Sequence, residues 1–154
     1  MAKGTALIVT IVDTTVWIDF FRGQDTPESE LLQQMLKAGE DICICGVILT
    51  EVLQGIREDA DHTEVAERFE AFLFLPMHHR TFVAAAHLYR TLRRRGITIR
   101  NAVDCMIAAV AIEYDIPLLH HDRDFGPMAE HCGLKVIKTG EKPNKSSARG
   151  EPRR

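Results

Sequence analysis

Five short apolar runs, at residues 6–12, 42–45, 73–77, 116–120 and 134–137, are separated from one another by stretches with helical spacing. Continuous rather than alternating apolar runs belong to strands buried on both faces, and such strands with helices between them build a parallel sheet. Right-handed crossovers then cover the sheet on both sides. The expected fold is therefore α/β, a three-layer α/β/α arrangement around a central five-stranded parallel sheet. Thr14 and Thr15 can cap a short first helix that runs through Phe21 and stops near Gly23. Thr26-Pro27 opens a second, with Leu31, Leu32, Met35 and Leu36 on one face and Gly39 as its stop. Leu49, Val52, Leu53 and Ile56 mark a third, residues 62–72 a fourth, and Phe82, Ala85, Tyr89 and Leu92 a fifth that Gly96 ends. Residues 102–114 are apolar almost all round, which places that helix in the middle of the domain.

A chain of 154 residues is one domain's worth, and 45% hydrophobic residues are enough to fill its core. We place the domain at residues 1–138. Residues 139–154, with Pro143, Ser146, Ser147, Gly150 and Pro152, form a basic tail too polar to offset its ordering entropy, and it is expected to be disordered. Net charge is −3, but residues 138–154 hold six basic against two acidic residues, a local +4, which leaves the rest at −7. An acidic body with a basic end does not suit a general nucleic-acid coat; it suits a chain that gathers carboxylates around a cation. The run at 6–12 meets Asp13 too early for a secretory signal, and no apolar stretch reaches membrane-spanning length, so a cytoplasmic location is expected. Cys43, Cys45, Cys105 and Cys132 have neither disulfide-framework nor zinc-ligand spacing and read as free, buried thiols.

In a parallel sheet of this kind, chemistry collects at the carboxyl ends of the strands. Four carboxylates fall there. Asp13 ends the first run, Glu51 lies in the first turns of the helix after the second, Asp104 opens the buried helix, and Asp122 follows the fourth run, with Asp124 two residues on. Asp104 is the most telling, because apart from Cys105 it is the only ionisable residue between 102 and 112. A buried carboxylate needs a cation or several donors, although a position near the start of a helix capped by Asn101 also suits an acid. Converging carboxylates are hard oxygen ligands that select Mg²⁺ or Mn²⁺, ions able to activate water against a phosphodiester. No phosphate-binding glycine loop and no supported Ser/His/Asp set is present.

Four segments carry a family resemblance. Val12-Asp13-Thr14-Thr15-Val16-Trp17-Ile18-Asp19-Phe20-Phe21-Arg22-Gly23 resembles the opening of PIN-domain toxins of the virulence-associated protein C (VapC) type. Thr50-Glu51-Val52-Leu53-Gln54-Gly55, Asn101-Ala102-Val103-Asp104-Cys105-Met106-Ile107-Ala108-Ala109-Val110-Ala111 and Asp122-Arg123-Asp124-Phe125 resemble their second, third and fourth motifs. The resemblance spans residues 8–137 and implies a PIN-like fold. It also implies a homodimeric Mg²⁺- or Mn²⁺-dependent endoribonuclease, the toxin of a toxin–antitoxin pair, held in check by a cognate VapB-type antitoxin in a hetero-oligomer. Carried over by position, Asp13, Glu51, Asp104 and Asp122 become the catalytic, metal-binding quartet, and Asp124 falls on a position that can assist. One departure is His120, which stands where such proteins usually have Thr or Ser.

Arg90, Arg93, Arg94, Arg95 and Arg100 cluster just before the third motif. Arg93, Arg94, Arg95 and Arg100 are candidate RNA-binding residues; a solvated helix end favoured by the macrodipole explains them equally well. His120 and His121 are read as structural or solvated in preference to phosphate contacts. Trp17, Phe20 and Phe21 supply core packing and, on the resemblance, part of a groove for an antitoxin helix. A haloacid-dehalogenase-like phosphatase would need an Asp where Thr15 stands, and a receiver domain an Asp where His78 and His79 follow the third run. The remaining rival is a catalytically silent PIN-like binding or assembly module.

Overall fold

The computed structural model describes residues 9–139. Residues 6–8 of the first apolar run and residues 140–154 of the basic tail lie outside them. The chain begins with strand β1 (Val9–Val12), helices α1 (Thr14–Phe21) and α2 (Pro27–Ala38), then β2 (Asp41–Cys45). Helices α3 (Gly46–Gln54) and α4 (Asp59–Phe69) lead to β3 (Leu73–Leu75), and α5 (His79–Arg94) and α6 (Ala102–Glu113) to β4 (Leu118–Leu119). Helix α7 (Phe125–His131) follows.

The sheet is parallel, in the order β3-β2-β1-β4. Ile11 pairs with Cys43 on one side and with Leu118 on the other, and Cys43 pairs in turn with Leu73. The expected fifth strand is reduced to one bridge between Leu118 and Val136, closed by Leu118 N–H to the Lys135 carbonyl and Ile137 N–H to the Leu118 carbonyl, both 2.9 Å. An edge segment facing a two-residue strand has no further partner to pair with, so the regular sheet has four strands. β3 stops short of the expected residue 77 because Pro76 has no N–H to give the ladder.

Strand interiors are buried on both faces: Ile11, Val12, Cys43, Ile44, Cys45, Leu118 and Leu119 are essentially sealed from solvent. Helix α6 is sealed almost as completely, as its all-round apolar sequence requires. Its far end is tied to the start of α5, where Glu113 accepts hydrogen bonds from Arg80 Nε (2.5 Å) and Thr81 Oγ1 (2.7 Å). Trp17 is buried between Phe69, at 4.7 Å between ring centroids, and Phe72, at 5.4 Å.

Most helix boundaries follow local chemistry. Thr26 caps α2 in a reciprocal box with Ser29, and Gly39, at φ 67°, ends it in the left-handed conformation that a Cβ disfavours. α4 starts at Asp59, three residues earlier than the apolar spacing suggests, with Asp59 and Asp61 complementing its dipole. α7 is an element beyond those the sequence predicts; its Pro127 is tolerated because it lies in the first turn, whose N–H groups lack intrahelical partners. Cys43, Cys45, Cys105 and Cys132 are free, the first three buried, and burial pushes the Cys43 and Cys105 thiols up to about 11. No described helix is long and apolar enough to cross a membrane.

Candidate metal centre

Chain order runs outward from β1 through β2 to β3, then returns to β4 on the opposite side of β1. β1 and β4 therefore flank the point where the topology reverses, and the crevice at their carboxyl ends is the natural site of such a sheet. Asp13 leaves β1 there, and the loop carrying Asp122 and Asp124 leaves β4. Helices α1, α3 and α6 all begin near this edge and deliver Thr14, Glu51 and Asp104.

Asp13 is the N-cap of α1, a role the sequence reading gave to Thr14 or Thr15. Its Oδ2 accepts the Thr15 N–H at 3.1 Å and the Thr15 hydroxyl at 2.5 Å. Burial nevertheless dominates: with the side chain 2% exposed, its pKa is raised to about 6, the Thr15 bonds pulling the other way. Asn101 caps α6 as expected, its Oδ1 accepting the Val103 N–H at 3.0 Å, and Asp104 sits in the first turn. Its pKa is raised to about 7, first by burial and then by the charges of Asp122, Asp13, Asp124 and Glu51. One side chain thus feels all four other acids. Glu51 Oε1 accepts the Thr14 hydroxyl at 2.9 Å.

The tightest group is not the one the sequence order suggests. Asp104, Asp122 and Asp124 bring one oxygen each within 4.8 Å of one another, while Asp13 and Glu51 lie outside that group and act on Asp104 through their charge. Asp122 Oδ1 accepts the Asp124 N–H at 2.9 Å, an Asx turn that ties the Asp122 carboxylate to the backbone of Asp124. Arg100 bonds to Asp124 at 3.3 Å and lies 4.0 Å from Asp122. Only oxygen donors converge, with no thiolate and no imidazole among the three, so the set fits a hard divalent ion. The raised pKa of Asp104 expresses the same fact: burial and the neighbouring acids oppose its charge unless a cation is present.

His120 Nδ1 accepts the Asp122 N–H at 3.2 Å, and its ring lies 5.0 Å from that of Phe125. A Thr or Ser hydroxyl accepts the amide two residues on in the same manner. His120 can therefore hold the turn that a hydroxyl would hold, and burial lowers its pKa. Of the candidate arginines, Arg100 reaches the acids. Arg93 lies over the Tyr89 ring at 5.7 Å, and Arg93 and Arg94 close the last turn of α5 where cations complement the dipole. Arg95 is the C-cap of that helix.

Three long-range contacts support the site. Asp19 accepts from His121 Nδ1 at 2.9 Å, Thr15 Oγ1 accepts the His121 backbone N–H at 3.1 Å, and Glu28 accepts the Thr139 hydroxyl at 2.6 Å. More than a hundred residues of chain separate each pair, so no local spacing signals it. Glu28, Arg100, His120, His121, Asp122 and Arg123 line an open cleft of about 570 Å³ beside the acids.

The PIN domain family profile matches residues 10–130. Ribonuclease VapC11 of Mycobacterium tuberculosis is 32% identical over 128 residues, covering 82% of this chain and 96% of its own. Among solved structures, VapBC2 from Rickettsia felis, crystallised with a DNA fragment from its promoter, superposes with a TM-score of 0.66 at 15% identity, covering 84% of this chain and 97% of that one. A toxin–antitoxin complex from Klebsiella pneumoniae gives 0.63 at 19%, covering 84% and 96%. Likeness at those identities is likeness of fold.

Proposed function

This chain belongs to the PIN-domain family, and from that premise we propose that it is a metal-dependent endoribonuclease, the toxin of a toxin–antitoxin pair. The observation that carries the reading is the convergence of Asp104, Asp122 and Asp124 within 4.8 Å, backed by Asp13 and Glu51, at the reversal point of the sheet. A cluster this acidic is poorly suited to hold an anionic strand unless a cation stands between them.

Asp104, Asp122 and Asp124 would hold Mg²⁺ or Mn²⁺, with Asp13 and Glu51 completing the acidic surround. When bound, such an ion supplies Lewis acidity toward water and the phosphodiester oxygens. The protein's own part is positional. Thr15 fixes the Asp13 carboxylate, Thr14 fixes Glu51, and the Asx turn fixes Asp122 against Asp124. Arg100, 63% exposed and already at the acids, is placed to take a substrate phosphate.

Ile18, Phe21, Val52, Ile56 and Val65 line a groove of about 430 Å³ together with Arg22, Asp61, Glu64 and Arg68. That combination of apolar and charged lining suits an amphipathic antitoxin helix. Phe21, 44% exposed on this wall, is the anchor we assign to that partner. A homodimer remains the expected toxin assembly, and the exposed Leu73 and Phe74 of edge strand β3 offer an apolar surface for it.

The test is cleavage of total cellular RNA by purified protein with Mg²⁺, with Mn²⁺ and with chelator, beside Asp13→Ala and Asp104→Ala. Discrete metal-dependent fragments that disappear in both variants are expected. Cleavage that survives chelator or either variant would remove the reading, and a folded protein inert toward all RNA would favour the silent binding module.

A further inference from the structure

Resting on the ribonuclease reading above, we propose that His121, oriented by Asp19, reads the ribose 2′-hydroxyl of the bound strand and makes the cleft selective for RNA over DNA. The metal-binding acids have no means of telling the two strands apart, so selectivity must come from another group beside them. His121 is the residue immediately before Asp122, its side chain is 52% exposed, and it lines the same 570 Å³ cleft.

Two contacts fix it there. Its backbone N–H donates to Thr15 Oγ1 at 3.1 Å, and that hydroxyl donates to Asp13, so the main chain at His121 is tied to the acidic site. Its Nδ1 lies 2.9 Å from Asp19 Oδ2. A carboxylate can only accept, so Nδ1 carries the hydrogen and Nε2 is the ring atom left for a ligand.

The other polar groups of the cleft are committed or suited to different partners. His120 Nδ1 accepts the Asp122 amide, and Glu28 Oε1 accepts the Thr139 hydroxyl. Arg100 and Arg123 are permanent cations, matched to backbone phosphates. With the Nδ1 hydrogen directed at Asp19, Nε2 presents a lone pair to the cleft. A 2′-hydroxyl has a hydrogen to donate to it, whereas a backbone phosphate oxygen has none. Arg100, Arg123 and His121 line the same cleft, so a strand whose phosphates meet the two arginines passes beside the imidazole. Asp19 is a positioning residue here, since it acts only through the imidazole.

The experiment measures binding of a short oligoribonucleotide and its all-deoxy counterpart to the full chain in Ca²⁺, by fluorescence anisotropy. The unaltered chain is expected to favour RNA by roughly two- to tenfold, the size of one hydrogen bond. His121→Phe keeps a ring of similar bulk without the nitrogens; it should bring the ratio to about one and leave DNA affinity unchanged. Asp19→Ala should lower the ratio part of the way, and thermal melts of both variants confirm the fold. Equal binding of the two strands by the unaltered chain, or a preference undiminished in His121→Phe, overturns the inference. Metal-dependent RNA cleavage alongside an undiminished preference in His121→Phe sinks this proposal alone. An intact, His121-dependent preference without any cleavage sinks the nuclease reading alone, and binding of neither strand removes both.

Discussion

Thr15 holds Asp13 through two hydrogen bonds to a single carboxylate oxygen, its own N–H at 3.1 Å and its hydroxyl at 2.5 Å. Both contacts oppose burial, which still leaves the pKa raised at about 6. Thr15→Val keeps the backbone bond and the side-chain shape but removes the hydroxyl. The Asp13 carboxyl should then titrate higher than about 6, and Mg²⁺ affinity at neutral pH should fall. Titration of the carboxyl carbon by NMR, with calorimetry of Mg²⁺ binding, checks this; an unmoved Asp13 pKa would show that the hydroxyl bond carries no electrostatic weight.

Stability of the metal-free protein should decline as pH rises from about 4 toward 7. Asp13 and Asp104 have folded pKa values of about 6 and about 7 against an ordinary value of 3.8, so the folded state binds protons the unfolded chain has released. Stability is therefore greatest below the unfolded value and is lost as pH climbs through the folded ones. Melting in chelator across this range reads the slope, and Mg²⁺ should flatten it at the upper end. A melting temperature that rises with pH over that window would contradict the assignment of these two groups.

Asp104→Asn should move stability and activity in opposite directions. The substitution removes a charge that burial opposes first and Asp122, Asp13, Asp124 and Glu51 oppose next, so the melting temperature in chelator at pH 7 should rise. RNA cleavage should fall by at least about 100-fold, since residues outside the ligand set already cost roughly 10- to 100-fold at metal sites. A destabilised Asp104→Asn protein would mean that the carboxylate has a structural partner the geometry does not reveal.

Trp17→Ala should cost about 3–5 kcal/mol, the range for emptying a large buried aromatic. Trp17 is 1% exposed and packs on Phe69 and Phe72, so the cavity would open beneath the start of the chain's aromatic cluster. Chemical denaturation gives the number, and a loss under about 1 kcal/mol would show that the cluster closes over the gap.

The apolar runs and their helical spacers were enough to foretell the parallel α/β architecture, because burial on both faces leaves a continuous run with few alternatives. Asp104 was legible for a related reason: a carboxylate in an otherwise apolar helix has few explanations. Boundaries set by local bonding, such as the Thr26 box and the Gly39 stop, were legible too. The fifth strand was not, since whether residues 134–137 pair beyond one bridge depends on how much of β4 faces them.

Tertiary structure alone decided which acids stand together. In sequence Asp13, Glu51, Asp104 and Asp122 all fall near strand ends and nothing ranks their distances; in space Asp104, Asp122 and Asp124 converge while Thr15 bonds one oxygen of Asp13. The pairing of His121 with Asp19 lies 102 residues apart in the chain and follows from β4 docking beside β1. Sequence determines which segments must be buried, because transfer from water depends on composition and local period. It does not by itself fix which polar atoms meet, because hydrogen bonds act only over a few ångströms and those separations exist only once the strands are ordered.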